Sequence, residues 1–229
     1  MTNQDLAEGR RAIPRLVIGD MNYSSWSLRG WLALRASGIA FEEVRVSLYV
    51  PGSREQLLRY SPSVKVPVYI DDSLTIWDTM AIIEYLAEDA PSLWPGDRRL
   101  RAHARSISAE MHSSFGAMRA LMPFNTRARH RRIPPTPALE ADLTRIRSLL
   151  EDCRQRYRSK GVWLFGDFSA ADILFAPVAS RFRTYDVPAE GLAGEYLHTI
   201  LAHRWVEEWD ARAAAEPGVL PSLEVGHAS

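Results

Sequence analysis

Val64-Lys65-Val66-Pro67-Val68-Tyr69 reads as a β-strand with a proline inside it, and resolving that contradiction orders the rest of the chain. Pro67 cannot donate to a strand ladder, so it belongs at an edge, a strand start or a bulge. A cis Val66–Pro67 bond is one economical solution, because it turns the chain and leaves a backbone group exposed. The Val66 N–H and C=O would then be placed to pair with an extended, peptide-like ligand, as in strand addition. Further on, Trp77-Asp78-Thr79 closes a second strand and opens a helix. Either Asp78 or Thr79 serves as a simple N-cap. The same corner could also meet a ligand ammonium on Asp78 and its carboxylate on the Thr79 hydroxyl and N–H.

Working outward, residues 16–18 form a short strand candidate. Residues 25–38 form a helix with Leu28, Trp31, Leu32 and Leu34 inward, stopped by Gly38. Residues 41–48 alternate apolar and polar side chains and read as a strand. Pro51-Gly52 and a short helix over 54–60 follow, then strand 66–70, the Asp71-Asp72-Ser73 turn, strand 74–77 and helix 79–88. The order is βαβαββα, with the last two strands an antiparallel hairpin. Beyond it only the helical period survives. Leu100, Ala104, Ile107, Met111, Phe115, Met118 and Met122 form one long apolar stripe, and Leu139 to Tyr157 a second. Two more helices fit 170–182 and 196–215. The change of period at 91–97, with Pro91, Pro95 and Gly96, sets the boundary: a tail over 1–13, an α+β unit over 14–90 and an all-helical unit over 97–229.

The 229 residues carry 28 basic and 28 acidic side chains, so no net charge draws the chain to nucleic acid or an acidic membrane. Residues 1–13 lack an apolar core segment, which argues against a signal peptide or anchor. No run is long enough to cross a bilayer. Cys153 is the single cysteine, which leaves no disulfide framework, redox pair or thiolate zinc site. A reducing, cytoplasmic setting fits. The six histidines form no metal set, and no metal is expected. The cluster Arg127-Ala128-Arg129-His130-Arg131-Arg132 lacks interleaved aromatics and reads as a solvated loop.

The turn before the first helix holds Asn22-Tyr23-Ser24-Ser25-Trp26-Ser27-Leu28-Arg29. A serine here is an ordinary N-cap. The free N–H groups of the helix start, with a second hydroxyl, also make an anion or thiolate site. Ser169 and Asp172 have the spacing of a capping box ahead of an apolar run, which reads as a structural helix start.

Taken in order, the serine turn, the Val-Pro-Val strand, the acid–hydroxyl corner and the capping box resemble the cytosolic glutathione S-transferase superfamily over roughly residues 16–177. The turn is similar to the Ser-Ser-Cys-Ser-x-Arg turn of its zeta class, with Trp26 in place of the cysteine. The resemblance implies a thioredoxin-like domain with a four-stranded mixed sheet, an all-α second domain, and glutathione as cosubstrate in the cleft between them. It further implies a cytoplasmic homodimer that conjugates glutathione to small hydrophobic electrophiles, a detoxifying reaction. Glutathione-dependent isomerisation, dehalogenation or ether cleavage is the alternative, with Arg29 or an arginine of the 127–132 cluster steering an acidic substrate. A non-catalytic binding module of the same fold is the third reading.

Carried over by position, Val66 and Pro67 meet the cysteinyl unit, and Asp78 and Thr79 the γ-glutamyl end. Lys65 and the loop 49–54 meet the glycine carboxylate. Ser24 or Ser25 serves the thiolate, with Ser27 and Tyr23 as further hydroxyls at the turn. Trp26, Met111, His112, Phe115 and Met118 line the second-substrate pocket. A serine suffices for the sulfur: lowering a thiol from pKa ~8.5 to mostly ionised at neutral pH takes ~2–2.7 kcal/mol. A helix N-terminus supplies roughly 0.3–1 kcal/mol, and a hydrogen bond to a charged partner about 1.5–3 kcal/mol.

Overall fold

The computed structural model describes residues 12–228, with the side chains of residues 227 and 228 excepted. The tail expected over 1–13 lies, as far as residue 11, outside the described residues.

One mixed sheet runs in the order β2-β1-β3-β4, built from β1 (Arg15–Ile18), β2 (Glu42–Arg45), β3 (Val68–Asp71) and β4 (Leu74–Trp77). The helical crossover α1 (Ser25–Ser37) makes β1 and β2 parallel, and the tight Asp72-Ser73 turn makes β3 and β4 antiparallel. β1 and β3 are antiparallel as well. Helix α1 ends at Gly38, whose φ of 75° is the left-handed stop expected of a C-terminal glycine. β2 is shorter than residues 41–48 because its partner β1 runs out at Ile18; the last backbone bond is Val46 N–H to the Ile18 carbonyl, 2.9 Å. β3 starts at Val68 and not at Val66, since Pro67 has no N–H and follows a cis bond.

Alternation places Leu16, Ile18 and Tyr69 against α1 and α3 (Thr79–Asp89), and Val17 and Val68 against Val46 and Leu57 of α2 (Ser53–Leu58). The sheet is therefore covered on both faces. Gly30 is the point of closest approach: a Cβ there would lie 2.8 Å from Cβ and Cγ of Pro67, so α1 rests directly on the proline ring. Gly30→Ala is expected to destabilise the fold by about 1–3 kcal/mol through overpacking, although alanine is the better helix former. Urea unfolding checks this, and a Gly30→Ala protein as stable as the parent would overturn it.

The remainder is mainly helical: α4 (Arg98–Ser113), α5 (Gly116–Leu121), α6 (Pro137–Tyr157), α7 (Ala170–Thr184), α8 (Gly191–Leu201) and α9 (Arg204–Ala214). Two expectations are corrected here. The long stripe from Leu100 to Met122 is broken at Ser114, and Phe115 takes a left-handed φ of 65°. The single helix over 196–215 is two, because Ala202 ends α8 and the His203 side chain caps α9 by accepting from the Trp205 N–H. Helix α7 is buried along almost its whole length and packs against α1, α4 and α8. Arg29 of α1 is fully buried and donates to the carbonyls of Leu174 (3.0 Å) and Ser25 (3.4 Å). It ties the two halves together and is not placed to steer a substrate.

The arginine-rich segment is also not the solvated loop expected. After α9 the chain doubles back over it, and β6 (His227–Ala228) pairs with β5 (Arg131–Arg132). Arg127 donates to the carbonyls of Glu216 and Gly218, and Arg131 to the Gly226 carbonyl and the Glu224 carboxylate. These cations satisfy backbone carbonyls of the returning strap, which a charge count cannot foresee. Among the described residues no helix is long and apolar enough to cross a membrane.

Candidate functional site

The serine turn is held from both sides. Glu216 accepts from the N–H groups of Met21 and Asn22 (3.0 and 3.1 Å), and Glu224 accepts from the Tyr23 hydroxyl at 2.6 Å. Tyr23 is thus committed to the strap. Ser24 caps α1: its Oγ accepts from the Ser27 N–H at 3.2 Å and lies 2.7 Å from Ser27 Oγ. Ser27 is fully buried, and its Oγ accepts from the Gly19 N–H at 2.9 Å. With Ser27 donating to Ser24, the Ser24 proton is left to point outward. Ser25 Oγ accepts from Arg181 Nη2 at 3.5 Å.

Ser24, Ser25 and Trp26 line a cleft of about 560 Å³ with Arg119, Phe124 and Arg181, and Leu223 of the strap adds to its wall. A second lobe of about 520 Å³ is lined by Ser63, Pro67, Trp77, Asp78, Thr79 and His112. Trp26, Lys65 and Val66 line both lobes, so one groove runs from the serine turn, past the proline, to the acid–hydroxyl corner. Val66 stands outside the β1–β3 ladder, which begins at Val68. Tyr49, Ser53 and Arg54 flank the serine end.

At the far corner Asp78 has a φ of 76°, a conformation that non-glycine residues adopt mainly where surroundings impose it. Its Oδ1 accepts from the Met80 N–H at 2.9 Å and its Oδ2 lies 3.2 Å from His112 Nε2. Thr79 is 1% exposed, and its Oγ1 has no hydrogen-bond partner among the described residues.

The serine end is cationic. Arg119 donates through Nε to the Ser114 carbonyl (3.0 Å) and lies 4.9 Å over the Trp26 ring. Arg181 donates to the Met122 carbonyl at 2.8 Å. Neither forms an ion pair among the described residues. Burial, reinforced by the Arg119 charge, pushes the Arg181 guanidinium down to about 9, which still leaves it charged at neutral pH. Two unpaired, partly desolvated cations beside a hydroxyl make a site for an anion.

Met111 and Phe115, expected on the substrate pocket, are 0% and 4% exposed and belong to the apolar core, as does Met118. They line neither lobe. Of the expected pocket residues, Trp26 and His112 do. Arg119, Arg181, Phe124 and Leu223 were not anticipated. The one available signal was Arg181, the charge that ends the small-and-apolar run over residues 173–180 of α7. Cys153 lies in the core, where burial pushes its thiol up to about 12, so it is inert at neutral pH. No group of three or more metal-ligating side chains occurs among the described residues.

Residues 23–89 match the family model for the glutathione S-transferase N-terminal domain. The chain is 28% identical to a maleylacetoacetate isomerase of Rattus norvegicus over 170 residues, 71% of this chain and 75% of that protein. It is 38% identical over 86 residues to a probable maleylacetoacetate isomerase of Caenorhabditis elegans. That match takes in 37% of this chain and only 39% of the nematode protein's length. Among solved structures, a glutathione transferase homologue from Burkholderia, with bound glutathione, superposes with a TM-score of 0.69 at 22% identity, over 89% of this chain and 100% of that one. A tau-class glutathione S-transferase from mango gives 0.67 at 19% identity, over 89% and 96%. These two show a shared fold.

Proposed function

The chain belongs to the cytosolic glutathione S-transferase superfamily, and from that premise we propose that it uses glutathione as a nucleophile against a small electrophile bearing a carboxylate. Residues 14–90 would hold the tripeptide and residues 97–229 would shape the second-substrate site. The observation that carries this reading is the pair of unpaired arginines, Arg119 and Arg181, at the serine end of the groove. The family resemblance implied a small hydrophobic electrophile, with Met111 and Phe115 among the expected pocket residues. With those side chains in the core, the cleft offers Trp26 and Phe124 as an apolar wall and two guanidiniums as an anion clamp.

In this reading Ser24 donates to the glutathione sulfur and the start of α1 adds its N–H groups. The thiolate forms without a general base. Val66 pairs with the cysteinyl unit, Asp78 takes the γ-glutamyl ammonium and Thr79 its carboxylate. The thiolate then adds to the activated C=C bond, whose π pair moves onto the conjugated carbonyl as an enolate. If the enolate takes a proton from water and the adduct is released, the reaction is conjugation; if, after rotation about the new single bond, the enolate pair re-forms the C=C and expels the thiolate, it is isomerisation. The similarity to maleylacetoacetate isomerases favours the second outcome for a cis-unsaturated diacid. A cytoplasmic homodimer is part of the same proposal.

Steady-state rates with maleyl-type acids and with an uncharged aryl halide test the proposal. Arg119→Ala and Arg181→Ala are each expected to lower kcat/KM for the acids about tenfold, the worth of one charge-assisted hydrogen bond. They should leave the aryl halide within about twofold, on the same scale. Equal losses on both substrates, or a parent protein that fails to bind glutathione, would overturn it.

A further inference from the structure

We propose that His112 is a positioning residue for the γ-glutamyl end of glutathione, holding the Asp78 carboxylate in the orientation that receives the ligand's ammonium; the proposal rests on the reading of the groove as a glutathione site. Asp78 caps α3 with Oδ1, which is consumed by the Met80 N–H at 2.9 Å. Only Oδ2 is left to face a ligand. The side chain is about half exposed, and a lone exposed carboxylate would rotate among rotamers and pay entropy on each binding event. His112 Nε2, 3.2 Å from Oδ2, removes that freedom. Oδ2 has a further lone pair, so it can accept from His112 and from an ammonium together.

The histidine is itself held. It sits on α4, in the helical half, and meets the Trp26 ring edge-on with centroids 5.2 Å apart. Its Nδ1 is buried without a partner among the described residues. A proton on Nδ1 would find no acceptor among the described residues, which favours the tautomer carrying it on Nε2, the nitrogen that faces Asp78 Oδ2. Trp26 touches both lobes of the groove, so the same ring that lies beside the serine turn fixes the residue that aims the far clamp. Thr79, whose buried Oγ1 has no partner among the described residues, lines the same lobe. The corner therefore sets a carboxylate next to an unpartnered hydroxyl just beneath the surface of the lobe, the two groups an amino-acid head group would use.

Calorimetric titration with two probes tests this: glutathione, and glutaryl-cysteinylglycine, which lacks only the α-amino group and keeps the carboxyl. His112→Ala is expected to weaken glutathione about tenfold, appearing in KM with kcat nearly unchanged, because the lost contact is to a charged carboxylate. The glutaryl analogue, with no ammonium for Asp78, should bind parent and variant alike. His112→Gln, whose amide can still donate to Oδ2, should restore most of the glutathione affinity. It also serves as the variant of record if His112→Ala is poorly folded by circular dichroism. Equal weakening of both probes, unchanged glutathione affinity, or tighter binding by His112→Ala would each overturn the proposal. A parent protein that binds neither probe would instead overturn the glutathione reading beneath it.

Discussion

Ser24→Ala is expected to lower kcat/KM for glutathione-dependent turnover about 100-fold at neutral pH, consistent with losing one donor to a charged sulfur. The deficit should shrink as pH rises. In the proposed mechanism the hydroxyl and the start of α1 hold the bound thiol below its free value, so that the thiolate would already be formed at neutrality. Without the hydroxyl the thiol pKa moves up by roughly 1–2 units, and the rate recovers once pH exceeds that value. Ser25→Ala should have a smaller effect, since Ser25 Oγ is engaged only by a long 3.5 Å contact from Arg181. Ser27→Ala should fall between them, because it removes the hydroxyl partner of Ser24 while keeping Ser24 itself. Rate profiles from pH 6 to 9 decide the matter. A Ser24→Ala profile parallel to that of the parent would mean that the turn does not set the thiol's ionisation.

How far the molecule was legible in the sequence depended on whether a feature left a local signature. The βαβαββα order did, because each change of period is marked by its own turn residues: Gly38 after α1, Asp72 in the hairpin, Asp78 before α3. The break after α4 did not. Met111, Phe115 and Met118 keep helical spacing straight across it, and a left-handed phenylalanine carries no glycine to announce it. Strand β2 was over-read because alternation at residues 46–48 is local, whereas its end is set by the length of β1.

The groove divides in the same way. Its serine, proline and acid–hydroxyl residues sit on the sheet unit at helix and strand ends, where residue types are diagnostic. The wall opposite the serine turn is assembled from α5, the segment after it, α7 and the returning strap. Arg119 and Arg181 are held there by backbone carbonyls, partners that have no side-chain identity to read. Arg127 and Arg131 illustrate the same blindness, since what they bind is the backbone and a carboxylate of residues some ninety positions away.

The largest stability effect is expected at Asp172, which the spacing of residues 169–172 identified only as a helix cap. The carboxylate is fully buried and collects four donors: the Leu164 N–H (3.1 Å) and Tyr196 hydroxyl (3.0 Å) on Oδ1, the Ser169 N–H (2.9 Å) and hydroxyl (3.0 Å) on Oδ2. It thereby joins the start of α7 to the loop before it and to α8. Asp172→Ala leaves two buried N–H groups without acceptors and opens a cavity beneath α7. The expected cost is about 3–5 kcal/mol, a large part of the roughly 5–15 kcal/mol that holds a domain together. Asp172→Asn keeps one acceptor oxygen but turns an NH₂ toward donors on the other side, so about half that loss should remain. The pH dependence has a defined sign. Burial, opposed by the four donors, pushes the Asp172 carboxyl from 3.8 up to about 6, so the native state keeps the proton to higher pH than the unfolded chain. Its contribution is therefore full below 3.8 and declines as pH rises through about 6. The gap in unfolding free energy between the parent and Asp172→Ala should accordingly narrow between pH 5 and pH 7. Urea titrations at those two pH values measure it, and a gap that widens would place the carboxyl's proton loss below its unfolded value, with the four hydrogen bonds outweighing burial.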